Sequence, residues 1–138
     1  MPLRELIRLC PQQLVLPPLP KPTLDDLLEI QSPFTYHTCQ FDNHFEKVVN
    51  NWLRYWMMGS NRGVRLMCFK IAGYAVSRHV LFRNIAYEII PPTVSRSIFT
   101  PANVEAVVVG GYGIKSMDQV EATISIDSEI LTLVVWDN

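Results

Sequence analysis

Residues 42–80 constrain the fold more than any other stretch, and read as two helices joined by a tight glycine-containing loop. Phe45, Val48, Val49, Trp52, Leu53 and Trp56 recur at i, i+3, i+4, i+7, i+8 and i+11, which is one apolar stripe on a 3.6-residue helix. Two tryptophans and a phenylalanine on one stripe must bury against something large. The start signal is Asn43 with Glu46 three residues later, a capping-box spacing. Gly59 marks the stop, because glycine takes the left-handed C′ conformation without penalty. A second helix is expected to begin near Asn61–Gly63, since Val64, Met67, Cys68, Ile71, Ala72 and Ala75 repeat the same spacing. Gly73 would weaken that helix by about 1 kcal/mol relative to alanine.

Charge follows the same stretch. Between 47 and 96 lie Lys47, Arg54, Arg62, Arg65, Lys70, Arg78, Arg83 and Arg96 against a single acid, Glu88, a balance of +7. Residues 1–46 carry −3 and residues 97–138 carry −5, so a net charge of −1 hides a polarised chain. That distribution points to an anionic partner: a membrane surface, nucleic acid, or the acidic part of another copy. The plain alternative is a solvated basic face.

A chain of 138 residues fits one domain with a normal core. No apolar run reaches the ~18–20 residues of a membrane span, and Glu5 and Arg8 interrupt the N-terminal segment, which does not read as a signal peptide. Cys10, Cys39 and Cys68 are odd in number, have no metal spacing, and read as free thiols of a reducing compartment.

In chain order, residues 2–10 suggest a short helix with Leu3, Leu6, Ile7 and Cys10 on one face, suited to docking on the core or on a neighbour. Residues 11–22 hold five of the ten prolines and read as a polyproline II spacer. Within it, Pro17, Pro18, Leu19 and Pro20 resemble the PPLP ligands of WW domains, although the Tyr of PPxY is missing. Thr23 with Asp25 and Asp26 starts a helix that ends before Pro33. Residues 34–41 read as a strand, as do residues 80–89, which stop at Pro91-Pro92. Residues 93–103 read as a loop exposing Ile98 and Phe99. Two further strand regions follow, with a bulge or turn at Gly110-Gly111 and a hairpin turn at Asp127–Glu129. GGYGIKS matches neither phosphate-loop pattern. His37, His44 and His79 form no pair or metal spacing, and no nucleophile–base pair or acidic dyad can be assembled, so no catalytic, metal or cofactor site is expected. The expected architecture is an α+β domain over 23–138, an antiparallel β-sheet with two main helices packed on one face, preceded by a Pro-rich N-terminal arm over 1–22.

The order strand, amphipathic helix, Gly/Asn/Arg loop, apolar helix and late strands, carried by VVNNWLRYWMMGSNRGVRLMCFKIAGYAVS and EATISIDSEILTLVVWDN, resembles the core of rhabdovirus matrix proteins. The Pro-rich segment upstream resembles their late-budding motifs. The chain departs from them in lacking a long Lys-rich tail and in having PPLP in place of PPxY. The resemblance implies a structural protein of the virion, and of the host cytoplasm and inner face of the host membrane, that self-associates and links nucleocapsid to membrane during assembly and budding. It implies as partners other copies, a nucleocapsid protein or RNA–protein complex, an anionic membrane surface, and a WW-domain host protein. On it, Arg54, Arg62, Arg65, Lys70, Arg78 and Arg83 are the candidate membrane- or nucleocapsid-binding residues. Leu3, Leu6, Met57, Met58, Ile98 and Phe99 are the candidates for self-association. A small nucleic-acid-binding module with Trp52, Tyr55, Trp56 or Phe69 as stacking groups, and an adaptor working through PPLP or a sheet edge, are the alternatives.

Overall fold

The computed structural model describes residues 23–138 apart from 31, 39, 100–104 and 137–138. The arm, with Leu3, Leu6 and Pro17–Pro20, lies outside the described residues. The α+β class holds. Among the described residues three helices, α1 (Leu24–Leu28), α2 (Asn43–Met57) and α3 (Arg78–Leu81), accompany six strands: β1 (Phe34–His37), β2 (Leu66–Lys70), β3 (Glu88–Phe99), β4 (Glu105–Lys115), β5 (Glu121–Ile126) and β6 (Ile130–Val135). They form one sheet in the order β1-β2-β6-β5-β4-β3. Every pairing is antiparallel except β1 with β2.

The helix α2 forms as its stripe dictates. Phe45, Val48, Val49, Trp52, Leu53 and Trp56 are all buried, each such side chain contributing roughly 1.5–3 kcal/mol on transfer from water. Its start is one residue earlier than the capping-box spacing suggests. Asp42 is the N-cap, its carboxylate accepting from the Phe45 N–H at 2.8 Å, which frees Glu46 for another task. Its end is as expected. Gly59 has φ +114°, its N–H donates to the Trp56 carbonyl and the Ser60 N–H to the Tyr55 carbonyl, both at 3.0 Å, the paired bonds of a Schellman turn. The helix α1 carries the expected Thr23 cap and a full capping box with Asp26.

The second helix expected over 61–75 does not form there: residues 66–70 are β2. β2 lies inside the sheet and is buried on both faces. Met67 and Phe69 pack toward the helices with Phe45 and Leu53, while Leu66 and Cys68 pack on the opposite face with Val134 and Trp136. A strand buried on both sides is an unbroken apolar run, and such a run matches a helical stripe by chance. Ala72 and Gly73, both at positive φ, then turn the chain.

Two further boundaries move. Of residues 80–89, read as one strand, 80–81 belong to α3, 82–87 are turn and irregular chain, and strand begins only at Glu88. The prolines at 91 and 92 do not end a strand; β3 runs through them to Phe99, and residues 93–99, read as loop, belong to it. The reason is position. β3 is an edge strand, where a residue without an N–H is tolerated on the outward side. Its register with β4 shifts between Ile90 and Ser95. Opposite that shift, Gly110 (φ +63°) and Gly111 (φ +110°) bulge β4. A Cβ on Gly111 would lie 2.7 Å from the Ile124 carbonyl oxygen, so only glycine fits.

This double irregularity creases the β3–β4 hairpin. Nearer the chain's helices, β4 pairs with β5 through Tyr112–Lys115. Beyond the crease, Ile98 and Val108 pack on the face of the sheet away from the helices, against a cluster of Leu66, Cys68, Ile130, Val134 and Trp136. Arg96 holds the folded part down, with its guanidinium 4.2 Å from the Trp136 ring centre and 3.1 Å from a Glu121 carboxylate oxygen.

Candidate functional site: a basic cleft between two helices

The face of α2 that is not in the core opens into a cleft of about 1120 Å³. One wall is α2, through Lys47, Asn50, Asn51 and Arg54, spaced three or four residues apart along one side of the helix. The other wall is α3 and the turn after it, through Arg78, His79, Val80, Phe82, Arg83 and Asn84, with Tyr87 beyond. Four cationic side chains face the recess, and none of its described lining residues is acidic.

Two polar residues one turn apart on α2 fix the far wall. Glu46, fully buried, accepts from the Tyr74 hydroxyl at 3.0 Å and from the Ser77 N–H at 2.5 Å. Ser77 is the residue preceding α3, so this carboxylate holds the helix's start. The Tyr74 hydroxyl is held above its ordinary pKa by desolvation and by its bond to the Glu46 carboxylate, which keeps it a donor. Asn50, also buried, donates from Nδ2 to the carbonyls of Leu81 at 2.8 Å and Arg83 at 3.0 Å, which holds the helix's end. Asn84, at φ +61°, completes the turn. Asparagine is the non-glycine residue best suited to that conformation.

The floor is aromatic. Phe82 stacks on Tyr87 with ring centres 4.5 Å apart, and Tyr112 meets Tyr87 edge-on at 5.7 Å. Arg78 reaches over Tyr112 at 5.8 Å. Tyr87 remains 40% exposed, which leaves part of its ring open to the recess. Arg54 donates from one terminal nitrogen to the Asn51 side-chain oxygen, while its Nε is buried without a partner. Among the described residues, no carboxylate lies within salt-bridge distance of Lys47, Arg54, Arg78 or Arg83. Four uncompensated cations around one concavity raise the local positive potential well above that of an open face.

The candidate cations expected from the sequence separate into groups. Arg54, Arg78 and Arg83 meet in the cleft, and Lys47, outside that candidate set, joins them. Arg62 sits elsewhere. It pairs with Asp118 at 2.5 Å, donates to the Trp56 carbonyl at 2.5 Å and lies 4.6 Å over the Trp56 ring centre. Arg62 therefore pins the 116–119 turn to the end of α2, and its hydrogen bonds hold the Asp118 carboxyl down at about 2, helped by the Ser116 hydroxyl. Arg65 is half-buried ahead of β2, with its backbone bonded to Pro33 and Val135, and Lys70 is exposed at the end of β2. Of the self-association candidates, Met58 and Phe99 are exposed. Met57 and Ile98 are partly buried against the two apolar clusters. Of the candidates for stacking on bases, Trp52, Trp56 and Phe69 are buried in the core and Tyr55 is exposed outside the cleft lining, whereas Phe82 and Tyr87 are the aromatic rings that line the cleft beside His79.

Lys47, Asn50, Asn51 and Tyr87 were not singled out as cleft residues in the sequence. The helical spacing of Lys47 with Asn51 and Arg54 was available, but the partner wall lies more than twenty residues away and depended on α3. Among the described residues, no group of His, Cys, Asp and Glu side chains is placed to hold a metal ion, and no helix is long and apolar enough to cross a membrane. Comparison with known proteins finds no matching family model, no matching curated protein and no matching solved structure.

Proposed function

We propose that this chain is a structural protein of the viral matrix type, which self-assembles and links a nucleocapsid to the inner leaflet of a membrane during assembly and budding. The observation that carries the proposal is the sorting of cations. Arg62 and Arg96 are used up in ion pairs with Asp118 and Glu121, whereas Lys47, Arg54, Arg78 and Arg83 are gathered without acids around one recess. A fold that neutralises some of its cations and gathers four others around one recess has a surface set apart for an anionic partner. Strand β1, helix α2, the Gly/Asn/Arg loop and the late β5–β6 hairpin keep part of the segment order on which the resemblance to rhabdovirus matrix proteins stands, while the segment after the loop is the strand β2 and not the apolar helix of that pattern. Exposed Met58, Ile89, Val94 and Phe99 supply apolar contacts for copy-to-copy packing at the surface. The role is binding and assembly rather than catalysis.

The test is self-association followed by light scattering across a salt series, with and without vesicles containing phosphatidylserine. Polymerisation that weakens with salt and is nucleated by the vesicles is the expected outcome. Cations near an anionic leaflet contribute about 1 kcal/mol each before screening. A chain that stays monomeric at every salt concentration and ignores the vesicles overturns the assignment.

A further inference from the structure

We infer that the cleft between α2 and α3 is a binding site for single-stranded RNA, with backbone phosphates held by Lys47, Arg54, Arg78 and Arg83 and a base seated on Tyr87. The inference rests on the assignment of this cleft as the surface for an anionic partner, and it names which anion. Shape separates the two sources. A phospholipid leaflet is flat and is met by cations on a flat or convex surface. Here the cations stand on two walls of a recess, which suits a strand laid between them. The lining supplies what a lipid phosphate does not use. Tyr87 is partly open and braced from below by Phe82 and from the side by Tyr112, so it is a rigid platform of the kind on which bases stack. The side chains of Asn51 and Asn84 line the same recess and carry both a donor and an acceptor, the pairing that base edges present. The walls are preset by Glu46 and Asn50, so little ordering is left to be done on binding.

The site accounts for the odd placement of four unpaired cations and two buried polar latches on one helix. Phosphate contacts would supply affinity with little sequence preference, as a coat over a long RNA–protein complex requires.

The experiment is fluorescence anisotropy of the full chain with a labelled single-stranded RNA of about 12 nucleotides, over a salt series, beside a duplex of the same length. The expected log–log salt slope is roughly −3, from four phosphate contacts on a single strand, and the duplex binds more weakly. Arg78→Glu with Arg83→Glu lowers affinity at least about tenfold, Tyr87→Ala lowers it by roughly tenfold, and Tyr87→Phe restores most of that loss. Lys115→Glu, on exposed β4 outside the cleft, changes it little. Circular dichroism melts confirm that each variant is folded, and the Tyr87→Phe rescue separates stacking from a general loss of structure. Duplex binding as tight as single-strand binding, or an equal loss from Lys115→Glu, overturns the inference. So does loss of phosphatidylserine vesicle binding in the double variant while RNA binding stays intact. Self-association in salt is read on the same samples: if it persists while RNA binding is absent, the inference fails and the matrix-type assignment stands.

Discussion

Acid should weaken this fold through the ring of His37. The residue sits on β1, buried to 7% exposure, with its ring stacked 4.9 Å from that of Phe69. Its Nε2 is buried and has no hydrogen-bond partner. Burial drives its pKa from 6.5 to about 4, because an imidazolium there would lose its hydration and gain no counter-charge. In the folded chain the ring is neutral at pH 7, and in the unfolded chain it takes up a proton near pH 6.5. The unfolded state therefore binds more protons across that window, and stability falls as pH is lowered. The contribution is fully present above about pH 6.5 and is lost as pH falls through about 4. A difference of 2.5 pKa units at 1.36 kcal/mol each gives about 3 kcal/mol over the whole window. The assay is urea denaturation at about pH 7.5 and about pH 4.5, for the wild type and for His37→Phe, which keeps a ring against Phe69 and cannot titrate. Carboxylates elsewhere protonate equally in both proteins, so their effect subtracts. The wild type should lose about 2–3 kcal/mol more than the variant between the two pH values. Equal losses would mean that the imidazole is solvated or paired, and the account of its burial would be refuted.

Replacing Asn50 with Ala removes two hydrogen bonds and strands the carbonyls of Leu81 and Arg83, so it should cost about 2 kcal/mol by denaturant titration and weaken RNA binding by loosening the α3 wall. Gly111→Ala places a Cβ against the Ile124 carbonyl at a positive φ and should lower stability by about 2–3 kcal/mol, read from the urea midpoint. Asp118→Asn should change stability little, because its pair with Arg62 is solvent-exposed. It should also remove the carboxyl that titrates near 2 in an NMR pH series, whose stabilising effect is present above the usual carboxylate range and lost only below it.

Much of the frame was legible where one physical signal decides the outcome. The α2 stripe, its glycine stop, the Thr23 cap and the Asp127–Glu129 hairpin turn are local, and each formed as its residues require. In that turn Asp127 accepts from the backbone N–H groups of Glu129 and Ile130, a side-chain bond that any tertiary setting would leave intact. β2 was misread because burial on both faces erases the alternation that identifies a strand. β3 was cut at Pro91 because the sequence does not say which strand lies at an edge. The cleft was half legible. Clustering by sequence neighbourhood brought in Arg62, which is spent on Asp118, and left out Lys47, which is not. Glu46 was read as a cap on a spacing argument, yet its carboxylate is needed thirty residues away. A local rule gave way to a tertiary partner, as happens where a polar side chain faces the interior.

The crease in the β3–β4 hairpin bears on how an exposed sheet edge avoids pairing with other chains. An outermost strand of twelve residues would ordinarily be a template for uncontrolled stacking of copy upon copy. Here the two prolines and the register break divide its pairing into Glu88–Ile90 and Ser95–Phe99, neither long enough to seed a continuous ladder. An edge so divided discourages backbone pairing between chains, the kind of contact that in fibrils is seldom reversed.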